Sequence, residues 1–178
     1  MTLPHAKQPD ICPIFAALTP EEREQLLPLL KQKVYAEGDM ILEEGLEVQI
    51  LWMMMRGRCE VIKSCGGDRE QQLAILEAGA VFGEMSFFNE APHSASVRAM
   101  TEVEVFQLSR QQYDDLQETM PSVVYKISHS ITKLLAERLR KMDEWTCGIF
   151  EAEDHRSLPT RREEWREFRS KIYSDLEF

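Results

Sequence analysis

Seven glycines divide residues 34–108 into short, β-rich runs, and this pattern limits the folds that the chain can adopt. The runs are rich in Val, Ile, Leu and Met, as in QILWMMMRG at 49–57 and VEVFQLS at 103–109. Short strands at this spacing are typical of a mainly β sandwich, roll or barrel. CGGD at 65–68 predicts a hairpin tip between two of the strands. The glycines are Gly38, Gly45, Gly57, Gly66, Gly67, Gly79 and Gly83.

Short helices are predicted before this β region. Thr19 can cap a helix, Pro20 suits its first position, and Glu22 completes a capping box. Pro28 is expected to kink or end this helix. The apolar residues at 14–18 predict an earlier helical turn.

A long amphipathic helix is predicted from Pro121, after a short helix that carries Tyr113 and Leu116 on one face. Its apolar seam lasts about three heptads, which is more than a small β domain could cover. We therefore expect part of the seam to pack on the β region and part to form a homodimer; a helix wholly buried against its own domain is the alternative. The seam comprises Val124, Ile127, Ile131, Leu134, Leu135, Leu139, Met142 and Trp145, with Arg138 among them.

The last thirty residues predict a linker and a final helix. Residues 147–158 contain a glycine and an acidic, polar stretch, and Thr160 with Glu163 forms a second capping box. Trp165, Phe168, Ile172 and Leu176 make one apolar stripe. A helix of this length needs a surface to dock on, which could belong to its own domain, a dimer partner or another protein. The expected domains are 1–118 for N-terminal helices and β-roll, 119–147 for the dimerisation helix, and 148–178 for linker and C-terminal helix.

Composition argues against several classes of function. The net charge of -10 disfavours a large nucleic-acid interface. The four cysteines form no CxxC pair or Cys/His cluster, which favours reduced thiols over a metal site. The N-terminus is polar and carries two prolines, and no apolar run approaches the length of a membrane span. We therefore expect a cytoplasmic protein with no membrane contact and no metal.

The segment FGEMSFFNEAPHSASV, from Phe82 to Val97, predicts a strand end, a glycine, a short helical turn and a return into a strand. A glycine before a short helix leaves backbone N–H groups free to face an anion. The small residues Ser94 and Ala95 allow a ligand to approach the backbone, and Glu84 could accept a hydrogen bond from a sugar hydroxyl.

This segment resembles the phosphate-binding cassette of the cyclic-nucleotide-binding domain family, whose usual form is F-G-E-[LM]-[AS]-L-…-P-R-[AS]-A-[ST]-V. The similarity extends upstream to Tyr35, Gly38, Ile41, Gly45 and ILWMMMRGRCEVI, and downstream into the long helix, about residues 12–145 in all. The resemblance implies a double-stranded β-helix, or jelly-roll-like β-roll, with flanking helices and a long dimerisation helix. It also implies cyclic AMP or cyclic GMP as a possible ligand and no other cofactor.

The resemblance implies ligand-binding roles for individual residues. Gly83 matches the turn glycine, and Glu84 matches the glutamate that holds the ribose 2′-hydroxyl. Met85 and Ser86 would offer backbone N–H groups to the phosphate. Ser94 and Ala95 match the small residues beside the phosphate. The implied ligand-binding set is Phe82, Gly83, Glu84, Met85, Ser86, His93, Ser94, Ala95 and Arg138.

Two positions depart from the family pattern. The phosphate-binding arginine is replaced by His93, which is mostly neutral at pH 7 and lacks the bidentate fork. An ungapped match places Arg138 and Leu139 where some members hold the base with two hydroxyl residues. Arg138 could reach a phosphate or stack on a base, or it could set the dimer register or extend to solvent.

Two functional hypotheses follow. The first is a regulatory module that senses a cyclic nucleotide or related small anion and signals to a protein partner through helix movement. The second is a degenerate, ligand-free domain that serves as a dimeric interaction scaffold, suggested by His93 and Leu139. We do not expect an enzyme, because Glu84 and His93 have no accompanying nucleophile. We do not expect DNA binding, because the tail is slightly acidic and too short for a helix-turn-helix.

Overall fold

The computed structural model describes residues 11–64 and 69–152. The chain divides into two compact units, one ending at Ile131 and the other beginning at Thr132. The predicted hairpin tip at 65–68 and the predicted C-terminal helix from Thr160 lie outside the described residues. Within the described ranges, every helix is too short or too polar to cross a membrane.

Eight strands in the first unit form two antiparallel sheets of four, which confirms the mainly β fold predicted from the glycine spacing. One sheet has the order β1-β8-β3-β6 and the other the order β2-β7-β4-β5. The strands are β1 (Lys31–Tyr35), β2 (Met40–Leu42), β3 (Ile50–Arg56), β4 (Arg58–Ser64), β5 (Glu70–Glu77), β6 (Val81–Phe82), β7 (Ser96–Ala99) and β8 (Val103–Ser109).

Strand β3 supplies side chains to two separate hydrophobic cores. Leu51 and Met53 pack beneath the helices, whereas Trp52 and Met54 point into the space between the two sheets. This division follows from the strand period of two, because successive side chains leave opposite faces of the sheet. The continuous apolar run in β3 is therefore the run expected of a strand that is buried on both faces.

The N-terminal helices begin and end where their local chemistry dictates. Helix α1 is Pro13–Ala16, helix α2 is Pro20–Leu26, and a 3₁₀ turn follows at Leu27–Leu29. The predicted capping box is present, with Glu22 N 3.2 Å from Thr19 Oγ1 and Thr19 N 2.9 Å from Glu22 Oε2. Pro28 lies in the 3₁₀ turn, which confirms that the α-helix ends there.

Of the three remaining helices, one lies within the cassette sequence and two follow the last strand. Helix α3 is Glu84–Asn89, α4 is Arg110–Thr119 and α5 is Pro121–Ala152. In the first unit, Ile127 and Ile131 of α5 are buried in the core beneath the helices, as is Val123. Helix α5 continues through Cys147, where the linker was predicted to begin, to Ala152. The helix can continue because this stretch lacks proline, and one interior glycine costs only about 1 kcal/mol.

Candidate functional site

The cassette begins at a glycine that has no room for a side chain. Gly83 follows β6 with φ +80°, in the left-handed region that favours glycine. A Cβ there would lie 2.5 Å from the ring of Trp52 and 2.7 Å from the carbonyl oxygen of Ile50. Phe82 stacks on the same indole, with ring centroids 5.6 Å apart. Close packing against Trp52 therefore fixes the point at which the chain turns from β6 into α3.

Glu84, Met85 and Ser86 form the first turn of α3. No side chain caps this end of the helix, and the first amide groups of any helix lack an intrahelical acceptor. Glu84 and Ser86 are buried, whereas Met85 is exposed. The turn thus combines a helix start that no side chain caps with a buried carboxylate.

His93 is buried within the first unit and bonded to the cassette helix. Its Nδ1 lies 2.7 Å from Ser86 Oγ, and its ring meets Trp52 edge-on at 5.8 Å between centroids. Burial lowers the pKa of His93. A hydrogen bond with the backbone of Val48 opposes this shift, but burial has the larger effect. The hydrogen bond to Ser86 therefore fixes the orientation of the imidazole, and burial disfavours its charged form.

The loop after β2 pairs with the backbone of His93. His93 N donates to Leu46 O at 3.0 Å, and Gly45 N donates to His93 O at 2.9 Å. These two bonds hold the part of the cassette that follows α3 against residues 43–46. His93 is consequently positioned from both sides, by α3 through its side chain and by this loop through its backbone.

Lys63, on β4, joins the other end of the cassette to the loop after β2. Its Nζ lies 2.5 Å from the carbonyl oxygen of Ser94 and 2.9 Å from Glu44 Oε1. Glu44 also accepts from Ser64 N at 2.9 Å, and these bonds lower the pKa of its carboxyl group. The sequence analysis did not identify Lys63 or Glu44, because nothing in a single sequence shows that residues 19 positions apart meet at the cassette.

The structure brings eight of the nine predicted site residues into the first unit. Ser94 is exposed and its Oγ lies 3.8 Å from Met85 Sδ, while Ala95 is half-buried between Ser94 and β7. Arg138 belongs to the second unit, on the exposed surface of α5. The ligand-binding roles of all nine residues remain predictions.

One expectation about side-chain chemistry needs correction. The sequence analysis found no nucleophile beside Glu84 and His93, yet the structure places the Ser86 hydroxyl on the imidazole. Ser86 as a whole residue is 1% exposed, so its hydroxyl lies beneath the surface of the first unit. Among residues 11–64 and 69–152, no group of three His, Cys, Asp or Glu side chains could hold a metal ion.

Comparison with known proteins identifies the family. A model of the cyclic nucleotide-binding domain matches residues 32–120. The "Cyclic AMP receptor protein" of Thermus thermophilus is 34% identical over 74% of this chain and 59% of its own length. A "cAMP-dependent protein kinase regulatory subunit" of Hypocrea atroviridis is 32% identical over 58% of this chain and 21% of its own length.

A solved structure shares the architecture. The cyclic nucleotide-binding domain from Methylobacillus flagellatus superposes with a TM-score of 0.70 and 26% identity, over 78% of this chain and 76% of that one. The chain spans less than two thirds of the length of each of these two curated relatives. This chain belongs to the cyclic nucleotide-binding domain family.

Proposed function

We propose that this chain is a regulatory module that binds a cyclic nucleotide, or a related small anion, at the cassette between Phe82 and Ala95. The observation that supports this most directly is the first turn of α3, which has no side-chain cap and contains the buried Glu84. Backbone N–H groups at a helix start favour a phosphate, and a carboxylate accepts from a ribose hydroxyl. The names of the two curated relatives also refer to cyclic AMP.

His93 lowers the expected affinity of this site. A buried Arg–phosphate pair that loses one partner costs about 2–5 kcal/mol. The imidazole must also be protonated to attract an anion, and burial opposes this. We therefore expect binding in the micromolar range or weaker, and tighter at low pH.

The test is isothermal titration calorimetry of the purified chain with cyclic AMP and with cyclic GMP, at pH 6 and pH 8. Saturable binding that weakens at pH 8 supports the proposal. Glu84→Gln should weaken binding, whereas Glu118→Gln, which removes the same charge from an exposed position on α4, should not. No measurable binding of either nucleotide at either pH would contradict the proposal and favour the ligand-free interaction scaffold.

We also propose that the module signals to a protein partner as a homodimer, without catalytic activity of its own and in the cytoplasm. The supporting observation lies in the second unit, where Leu135, Leu139 and Met142 are exposed along one face of α5. Their spacings of four and three place them on a single stripe, which suits a second copy of the same helix. Sedimentation should give a dimer that Leu139→Glu dissociates, while Lys133→Glu, at another exposed position on α5, leaves it intact.

A further inference from the structure

Glu44 lies where three separate segments of the first unit meet. It belongs to the loop after β2, and its carboxylate accepts from Lys63 Nζ and Ser64 N, both at 2.9 Å and both at the end of β4. Its own backbone N donates to Ser96 Oγ at 2.8 Å, at the start of β7. One residue therefore joins the loop, the end of β4 and the strand that follows the cassette.

Lys63 extends this set of bonds to the cassette itself. While its Nζ is paired with Glu44, the same atom donates to the carbonyl oxygen of Ser94 at 2.5 Å. Ser94 and Ala95 are the residues that the family resemblance places beside the phosphate, and with Ser96 they form a small-residue segment at 94–96. The Lys63–Glu44 pair thus contacts this segment at both of its ends.

The bond to the Ser94 carbonyl fixes the orientation of a whole peptide unit. The unit that joins Ser94 to Ala95 is trans, and in a planar trans peptide the carbonyl and the N–H point in opposite directions. Holding the carbonyl toward Lys63 therefore directs the Ala95 N–H away from Lys63. Backbone N–H groups are frequent donors to phosphate groups, so the orientation of this segment bears on the predicted ligand site.

We propose that Lys63 and Glu44 are positioning residues that hold the small-residue segment in place before a ligand arrives. The effect on a ligand rests on the proposed function, whereas the holding of the segment does not. A segment that is already ordered loses less conformational freedom when a ligand binds, and the affinity is higher for that reason.

The pair acts through geometry and not through its charge. Lys63 Nζ and Glu44 Oε1 carry opposite charges 2.9 Å apart, so together they present little net charge to an anion. The two side chains are also 42% and 29% exposed, and water weakens the field of an exposed charge. Lys63 therefore does not replace the positive charge that the family's arginine supplies at the position of His93.

Amide nitrogen relaxation of the full chain, without nucleotide, tests whether the pair holds the segment. In Lys63→Met we expect the order parameters of Ser94 and Ala95 to fall, because the carbonyl has lost its donor. Lys63→Arg keeps a cationic donor and should preserve them, as should Lys31→Met, which removes the same charge from an exposed position on β1. Unchanged order parameters in Lys63→Met would overturn the proposal, whether or not a nucleotide binds.

Calorimetry with cyclic AMP and cyclic GMP at pH 6 tests the effect on the ligand. Lys63→Met and Glu44→Gln should each weaken binding about two- to fivefold, as suits a partly exposed ion pair, and the double variant should weaken it little more than either. Glu118→Gln, on the exposed surface of α4, is the control for lost negative charge and should leave binding unchanged.

The sign of the Glu44→Gln effect separates geometry from charge. If Lys63 attracted the ligand by its charge, Glu44→Gln would release that charge and tighten binding, and this result would overturn the proposal. An absence of binding by the unaltered chain would contradict the proposed function instead. The order parameters would then decide by themselves whether Lys63 and Glu44 position the segment.

Discussion

Ser86 Oγ and His93 Nδ1 lie 2.7 Å apart and are both buried, so the family's arginine position is occupied here by a side chain bonded within the cassette itself. An arginine at this position would extend its five donors toward a ligand. The imidazole instead uses one nitrogen to hold α3. This bond links the first turn of α3 to the segment that leads from α3 into β7. The exposed residues Phe88 to Glu90 lie between these two parts of the cassette.

Ser86→Ala should destabilise the fold by about 1–3 kcal/mol, because it leaves Nδ1 of His93 buried without a partner. Urea denaturation followed by circular dichroism measures the change. Ser94→Ala is the matched control, since that hydroxyl is exposed, and its effect should stay within about 0.5 kcal/mol. Equal effects of the two variants would show that the Ser86–His93 bond contributes nothing to stability.

His93→Arg should tighten cyclic nucleotide binding about tenfold or more if the pocket is otherwise intact. The gain comes from a permanent charge and a bidentate fork. His93→Lys tests the contribution of the bidentate fork, because lysine supplies the charge without the fork. This variant should therefore gain less affinity than His93→Arg. Calorimetry at pH 8, where histidine is neutral, gives the clearest contrast. No gain with either variant would indicate that the pocket is closed or serves another purpose.

Much of the fold could be predicted because its signals are local. The capping box joins Thr19 and Glu22, which are three positions apart, and the turn at Gly83 depends on backbone sterics. The end of α5 was misjudged because the acidic, glycine-containing stretch after Cys147 is typical of a linker, although no proline stops the helix.

The cassette chemistry was harder to predict because it depends on long-range contacts. The sequence shows a histidine where the family has arginine, but not that Ser86 holds its ring. The sequence gives no reason to single out Trp52 in its apolar strand, yet the strand register places its indole against both Gly83 and His93. Lys63 reaches Ser94 across 31 residues of sequence, which no local pattern can indicate.

Gly83→Ala should destabilise the fold more than Gly38→Ala, although both glycines have positive φ. The left-handed conformation costs a non-glycine residue about 1–2 kcal/mol at either position. At Gly38 a Cβ meets nothing within 4 Å, whereas at Gly83 it collides with Trp52 and the Ile50 backbone. Overpacking adds about 1–3 kcal/mol. Denaturant titration of both variants measures the difference, and equal losses would contradict the close packing of Gly83.

Glu22 connects α2 to α5, and this connection should give the fold a pH dependence in acid. Its carboxylate accepts from Lys126 Nζ at 2.6 Å and from Ser122 Oγ at 2.8 Å. Hydrogen bonds from Lys126, from the backbone of Thr19 and from Ser122 lower the pKa of Glu22 from 4.5 to about 2. The folded state therefore binds this proton less readily than the unfolded state, so the stabilisation is complete above pH 4.5 and is lost as the pH falls toward 2.

Glu22→Gln isolates this charge, because glutamine at the third helical position still completes the capping box with Thr19. We expect a loss of about 1–2 kcal/mol at pH 7, since hydrogen bonds to a charged group are worth more than neutral ones. The difference from the unaltered chain should shrink between pH 4.5 and pH 2, as the native carboxyl group takes up its proton. Thermal unfolding over this range provides the measurement, with Glu24→Gln on the exposed face of α2 as the control for net charge. A difference that stays constant with pH would exclude the ion pair with Lys126 as the source of the stabilisation.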